Sequence, residues 1–74
     1  MPATLREVKE VGRMIKEMRE SRNLTQEELG ATLGCTRMAI SNYESGGRMP
    51  NDNMKASIAN YFGVSVGSLF FTQE

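Results

Sequence analysis

Residues 24–50 read LTQEELGATLGCTRMAISNYESGGRMP, and this stretch carries two helix signals either side of one glycine. Thr25 is followed three residues on by Glu28, the spacing of a capping box. Leu24 and Leu29 flank it as a hydrophobic staple, so a helix is expected to start at Gln26. It should end at Leu33, because Gly34 can take the left-handed conformation without a Cβ penalty. Thr36 can then cap a second helix, with the apolar Cys35 and Ile40 at its staple positions. The link Gly34, Cys35, Thr36 is too short for side-by-side antiparallel packing, so the two helices are expected to cross steeply. That arrangement presents a second helix to a DNA groove.

Outward from this centre, three more helices are expected. Thr4 and Glu7 have capping-box spacing, and Leu5, Val8, Val11, Ile15 and Met18 recur every three or four residues. The pattern predicts an amphipathic helix of about 17 residues ending near Arg22 and Asn23. Its other face mixes Arg6, Glu7, Lys9, Glu10, Arg13, Lys16, Glu17 and Glu20, the mark of a solvated surface rather than a membrane-binding helix. Residues 45–50, SGGRMP, read as an exposed loop. A fourth helix should begin after an Asn51 or Asp52 cap and run to Phe62, with Met54, Ile58, Tyr61 and Phe62 along one side and Gly63 as its stop. Ser65 should cap a last short helix, with Val64 and Leu69 as its staple and Leu69, Phe70 and Phe71 as its apolar end. The expected fold is all-α: one compact domain of five helices over residues 1–74, with no strand.

The bulk composition narrows the function. At 74 residues, only about 60% of the unfolded chain's surface can be buried, enough for a small helical core. One cysteine, Cys35, cannot form an internal disulfide, and with no histidine there is neither a cysteine-histidine metal set nor an imidazole base. No metal or other cofactor is expected, and a reducing cytoplasm fits. No segment approaches the roughly 20 apolar residues of a membrane span, and the first ten residues have no apolar signal-peptide core, so neither export nor membrane insertion is expected. The net charge is zero, whereas nucleic-acid binders usually carry a basic excess. A DNA-binding chain of this kind has few phosphate-neutralising charges per subunit and needs specific contacts or dimerisation to reach useful affinity.

The capping pattern, the glycine turn and the runs LTQEEL, LGCT, ISNYESG and FGVS, with a proline four residues after ISNYESG, together resemble the lambda-repressor and Cro-like helix-turn-helix family, also called the xenobiotic-response-element family. The resemblance covers roughly residues 11–70. It implies a five-helix lambda-repressor-like DNA-binding domain, usually dimeric, with double-stranded DNA as partner. It also implies that Gln26 bonds a phosphate from the start of the second helix, and that Thr36, Arg37, Met38, Ser41 and Asn42 point into the major groove. Spacing supports the second point independently. Arg37 and Ser41 are four apart, as are Met38 and Asn42, so both pairs share a side that Ile40 and Tyr43 leave free. Arg37 can bond guanine O6 and N7 or reach a phosphate, Asn42 can bond adenine or serve only backbone and water, and Met38 can touch a thymine methyl or simply be exposed. Arg48 suits a phosphate better than a base.

The resemblance further implies an ion pair between Arg19 and Glu44, which would fix the third helix against the first. Cys35 is expected as a small buried apolar residue. Gly30 stands where the family usually has alanine, letting the second and third helices approach closely at some cost in helix propensity. Asp52 and Lys55 replace residues that are often apolar in related sequences, and Gly67 replaces a common acidic one. Near the C-terminus, Val66, Leu69, Phe70 and Phe71 crowd more apolar surface into two turns than one small core can take. A two-fold homodimer joined through Val66, Phe70 and Phe71 is therefore expected. The chain lacks a nucleotide loop or clustered carboxylates, which argues against an enzyme. A protein-interaction module is the serious alternative, but it should show an apolar or acidic face where this helix has Thr36, Arg37, Met38, Ser41, Asn42 and Ser45. No small-molecule ligand is inferred, and repression of a promoter by an operator-bound dimer is the expected role.

Overall fold

A computed structural model describes residues 3–72. Five helices follow one another: α1 (Val8–Ser21), α2 (Gln26–Leu33), α3 (Arg37–Ser45), α4 (Asp52–Phe62) and α5 (Val66–Phe70). The architecture is all-α, with the five helices expected from the sequence.

Four of the helix starts follow from local chemistry. Thr25 Oγ1 accepts from the Glu28 N–H at 3.0 Å while Glu28 Oε1 accepts from the Thr25 N–H at 2.8 Å, a complete capping box. Thr36 Oγ1 accepts from the Ala39 N–H at 3.0 Å. Asn51, rather than Asp52, caps α4 through the Met54 N–H at 2.8 Å, and Ser65 caps α5 through the Ser68 N–H at 3.0 Å. Gly34 closes α2 at φ 75°, a left-handed conformation in which its N–H reaches back to α2 carbonyls.

The first helix departs from the expectation. Thr4 does not cap it; α1 starts at Val8 after an extended Glu7 that makes no side-chain cap bond. Residues 4–6 instead lie antiparallel to residues 70–72, with a bridge between Leu5 and Phe71. The Arg6 N–H donates to the Phe70 carbonyl at 2.8 Å and the Thr72 N–H to the Thr4 carbonyl at 2.7 Å. The Thr4 N–H donates to Thr72 Oγ1, and that hydroxyl donates back to the Thr4 carbonyl, both at 3.2 Å. This pairing satisfies more backbone groups than one cap would, so α1 is 14 residues long rather than about 17.

The core gathers Val11 and Ile15 of α1, Leu29 of α2, Ile40 and Tyr43 of α3, Ile58 and Phe62 of α4, and Leu69 and Phe70 of α5. Each helix thus buries the face its apolar spacing marks. Of the expected α4 stripe, Met54 and Tyr61 are half-buried against this core. The loop after α3 is less exposed than its composition suggests, because Pro50 is buried and Met49 packs on the core. Lys55 is accommodated on α4 by laying its stem inward. Its Nζ stands 5.9 Å from the Phe70 ring centroid and 3.6 Å from Asp52 Oδ1, and Asp52 itself is fully exposed. Arg22 joins the end of α1 to the end of α4, donating to the Tyr61 and Phe62 carbonyls at 3.1 and 3.3 Å with its guanidinium over both rings.

Two helix contacts place α3. Gly12 is buried where α1 meets the Tyr43 and Glu44 carbonyls, and Gly30 where α2 meets the backbone of Cys35 and Thr36. A Cβ at Gly30 would stand 3.0 Å from the Cys35 and Thr36 carbonyl oxygens, so the close approach expected of a glycine there is present. Helix α3 is thereby seated between α1 and α2.

Candidate nucleic-acid interface

The helical period divides α3 cleanly. Ile40 and Tyr43 are buried, while Thr36, Arg37, Met38, Asn42 and Ser45 are exposed and Ser41 is half-buried. Met38 keeps 66% of its surface in solvent, a large cost in unburied apolar area for a side chain with no structural use there. Arg37 and Arg48 are both exposed, and neither has an ion-pair or hydrogen-bond partner among the described residues. The Thr36 hydroxyl accepts the Ala39 N–H, which leaves its own proton free to donate outward. The outward face therefore offers a cation, a thioether, three hydroxyls and an amide, with no carboxylate among them.

Behind this face lies a polar network of three helices. Arg19 Nε donates to Glu44 Oε2 at 2.6 Å and Arg19 Nη2 to Glu44 Oε1 at 3.1 Å, a bidentate pair. Both side chains are largely buried, at 11% and 4% exposure for Arg19 and Glu44. Arg19 Nη1 donates to the Leu24 carbonyl at 2.6 Å, which ties the α1–α2 link to the same group. The hydrogen bond to Glu44 raises the Arg19 pKa above its already high ordinary value, against the lowering effect of burial. Breaking such a pair from one side leaves a buried charge uncompensated, so the pair fixes orientation more surely than it adds stability.

Gln26 belongs to this network as well. Its Nε2 donates to Glu44 Oε1 at 3.1 Å, a contact across 18 residues of chain that no local spacing announces. The amide is thus held at the first turn of α2, next to the exposed Glu27 and to Glu28, whose carboxylate is occupied by the Thr25 N–H. Cys35 sits half-buried between α2 and α3 and packs on the core, less enclosed than expected, and burial pushes its thiol pKa up.

The C-terminal apolar cluster divides in a way the sequence did not reveal. Phe70 is 0% exposed and belongs to the core of its own chain, which removes it from any surface between subunits. Val66 and Phe71 are half-buried, each packed on the core and each with surface remaining. Leu5, paired with Phe71, is exposed, and so is Val64, whose expected staple partner Leu69 is buried. Phe71 also lies beyond the helix, in extended backbone.

A family model described as Helix-turn-helix matches residues 15–69. The chain belongs to that family, the lambda-repressor-like DNA-binding regulators. Among curated helix-turn-helix relatives, the transcriptional activator BcrR of Enterococcus faecalis is 35% identical over 65 residues, covering 88% of this chain and 32% of the activator. The chain therefore spans about a third of the length of that relative. The uncharacterized helix-turn-helix transcriptional regulator MJ0272 of Methanocaldococcus jannaschii is 35% identical over 60 residues, 81% of this chain and 91% of the regulator. Among solved structures, the P22 c2 repressor protein in complex with a synthetic operator superposes with a TM-score of 0.76 at 25% identity, covering 80% of this chain and 89% of that one. In helix-turn-helix terms, α2 and α3 are the central pair and α3 stands at the place of the recognition helix. No helix among the described residues is long and apolar enough to cross a membrane.

Proposed function

We propose that this protein is a sequence-specific double-stranded DNA-binding regulator that works in the cytoplasm, with residues 1–74 acting as one domain. It inserts α3 into the major groove, where Arg37, Asn42 and Met38 read base edges, assisted by Thr36 and Ser41. Gln26 and Arg48 bond phosphates on either side and set the register. The observation that carries this reading is the outward face of α3: a lone cation, an amide and a largely exposed methionine without intramolecular partners, on a helix whose other face is fully packed. A protein-docking face would be apolar or acidic, and this one is neither.

The functional unit is a two-fold homodimer. A neutral monomer has too few cations for tight phosphate binding, and pairing two subunits doubles them. Val66 and Phe71, the latter paired with the exposed Leu5, supply the apolar surface for that contact. A symmetric dimer of this kind sets its two recognition helices about 34 Å apart, in successive major grooves. The role is repression by operator occupancy. The resemblance to the P22 repressor supports it, since most of that chain is covered, whereas only a third of the BcrR activator is.

Selection of binding sites from a randomised duplex pool tests the proposal directly. The expected outcome is an inverted repeat with half-site centres about ten base pairs apart. A pool that shows no sequence enrichment after repeated rounds would exclude specific DNA binding.

A further inference from the structure

We propose that Glu44 is a positioning residue for backbone recognition: its buried carboxylate holds the Gln26 amide in the orientation that presents an N–H to a DNA phosphate oxygen. The inference rests on the DNA-binding reading above and adds to it a residue that does not itself touch DNA.

The argument begins with the chemistry of the two groups. An ionised carboxylate only accepts hydrogen bonds, whereas an amide has one donor end and one acceptor end. Glu44 Oε1, 3.1 Å from Gln26 Nε2, therefore decides which way the amide faces, because the flipped amide would set one acceptor against another. Nε2 carries two hydrogens. One goes to Glu44, and the planar amide then fixes the direction of the second, which has no partner among the described residues. Left to itself, a half-buried glutamine side chain would sample several rotamers and lose conformational freedom on binding, which weakens the contact.

Glu44 can hold Gln26 because it is itself held. Arg19 grips both carboxylate oxygens and also binds the Leu24 carbonyl, two residues before Gln26. The Arg19 charge balances that of Glu44, so the carboxylate does not repel a nearby phosphate. Glu44 also lies in α3, whose outward face carries the base-reading residues. One carboxylate thus couples the phosphate anchor to the reading helix, and a shift of either is transmitted to the other.

A double-substitution cycle with Gln26→Ala, Glu44→Gln and the pair tests this on the selected operator, with affinity referred to the folded fraction. Gln26→Ala is expected to weaken binding about three- to tenfold, the range for one hydrogen bond. Glu44→Gln should cost at least threefold more when Gln26 is present than when it is alanine. Losses that simply multiply would overturn the positioning role, because a residue that only supports the fold lowers affinity equally in both backgrounds. The wild-type protein supplies a second reading that does not depend on variant stability. In its NMR spectrum one proton of the Gln26 side-chain NH2, the one donated to Glu44, should be displaced downfield and protected from solvent exchange in the free protein, and the other should shift on operator addition. A pair at the ordinary positions of a solvated amide, or no shift on binding, would overturn the inference. A wild-type protein that selects no duplex would instead sink the DNA-binding reading itself.

Discussion

Gly12 of α1 packs so closely on α3 that a Cβ built there would stand 2.5 Å from the Glu44 carbonyl oxygen and closer still to that of Tyr43. Both obstacles are backbone, so no side chain can swing aside. Glycine inside a helix costs about 1 kcal/mol against alanine, yet here that cost is the condition for α1 and α3 to meet. Gly12→Ala should therefore destabilise the protein by a net 1–3 kcal/mol or so despite its better propensity, lowering Tm by roughly 5–15 °C. An unchanged or raised melting temperature would show that the helices separate at no cost.

Cys35 gives the fold a pH dependence of known sign. Burial raises its folded-state pKa, so above the ordinary thiol value, about 8.5, the folded chain binds more protons than the unfolded one. The stability contribution is complete below that value and is lost as pH rises through the folded-state pKa. Cys35→Ala should flatten the decline of stability measured by denaturant titration as pH rises above about 8.5. Parallel curves for the two proteins would remove the thiol from the account.

Base reading and phosphate binding separate by substitution. Arg37→Ala and Asn42→Ala should each relax preference at a single base pair, by about 1–3 kcal/mol, in competition assays against substituted operators. Gln26→Ala should weaken all sequences alike. Uniform loss from all three would show that α3 does not read bases.

The salt dependence should be shallow. Few cations are available near α3 and the α3–α4 loop, among them Arg37 and Arg48. The slope of log affinity against log salt should correspond to about three to six phosphates per subunit. Affinity that is independent of salt is incompatible with binding to a phosphate backbone.

Dimerisation is expected to depend on the surface left around the Leu5–Phe71 bridge. Phe71→Ser and, separately, Val66→Ser should shift the monomer–dimer equilibrium toward monomer in sedimentation and weaken binding to two half-sites more than to one. Val66 provides the check where loss of Phe71 also loosens the core. An unchanged equilibrium in both folded variants would place the interface elsewhere.

The central pair of helices was legible because its signals are local. A capping box, a staple and a glycine stop each act within a few residues, and Thr25, Thr36, Asn51 and Ser65 cap their helices as that local chemistry leads one to expect. The division of α3 into Ile40 and Tyr43 inside and Arg37, Met38 and Asn42 outside follows from the 3.6-residue period alone. The Arg19–Glu44 pair was a different matter, suggested by resemblance and not by any spacing, since its members lie 25 residues apart.

By itself, then, the sequence determined the helices, their order and the face α3 turns outward, because those depend on hydrogen bonds and periodicities that close within one or two turns. Tertiary structure decided the rest. Thr4 has the spacing of a cap, but four hydrogen bonds link residues 4 and 6 to residues 70 and 72 and hold it extended. Phe70 and Phe71 are neighbours of equal hydrophobicity, yet one fills the core and the other keeps a surface, because the chain leaves the helix between them. Gln26 meets Glu44 only once α1 has brought the two helices under one arginine. Each outcome is a competition between a local preference and a contact made across the chain, and the number of polar and apolar groups satisfied at the end, which no stretch of sequence displays, selects the winner.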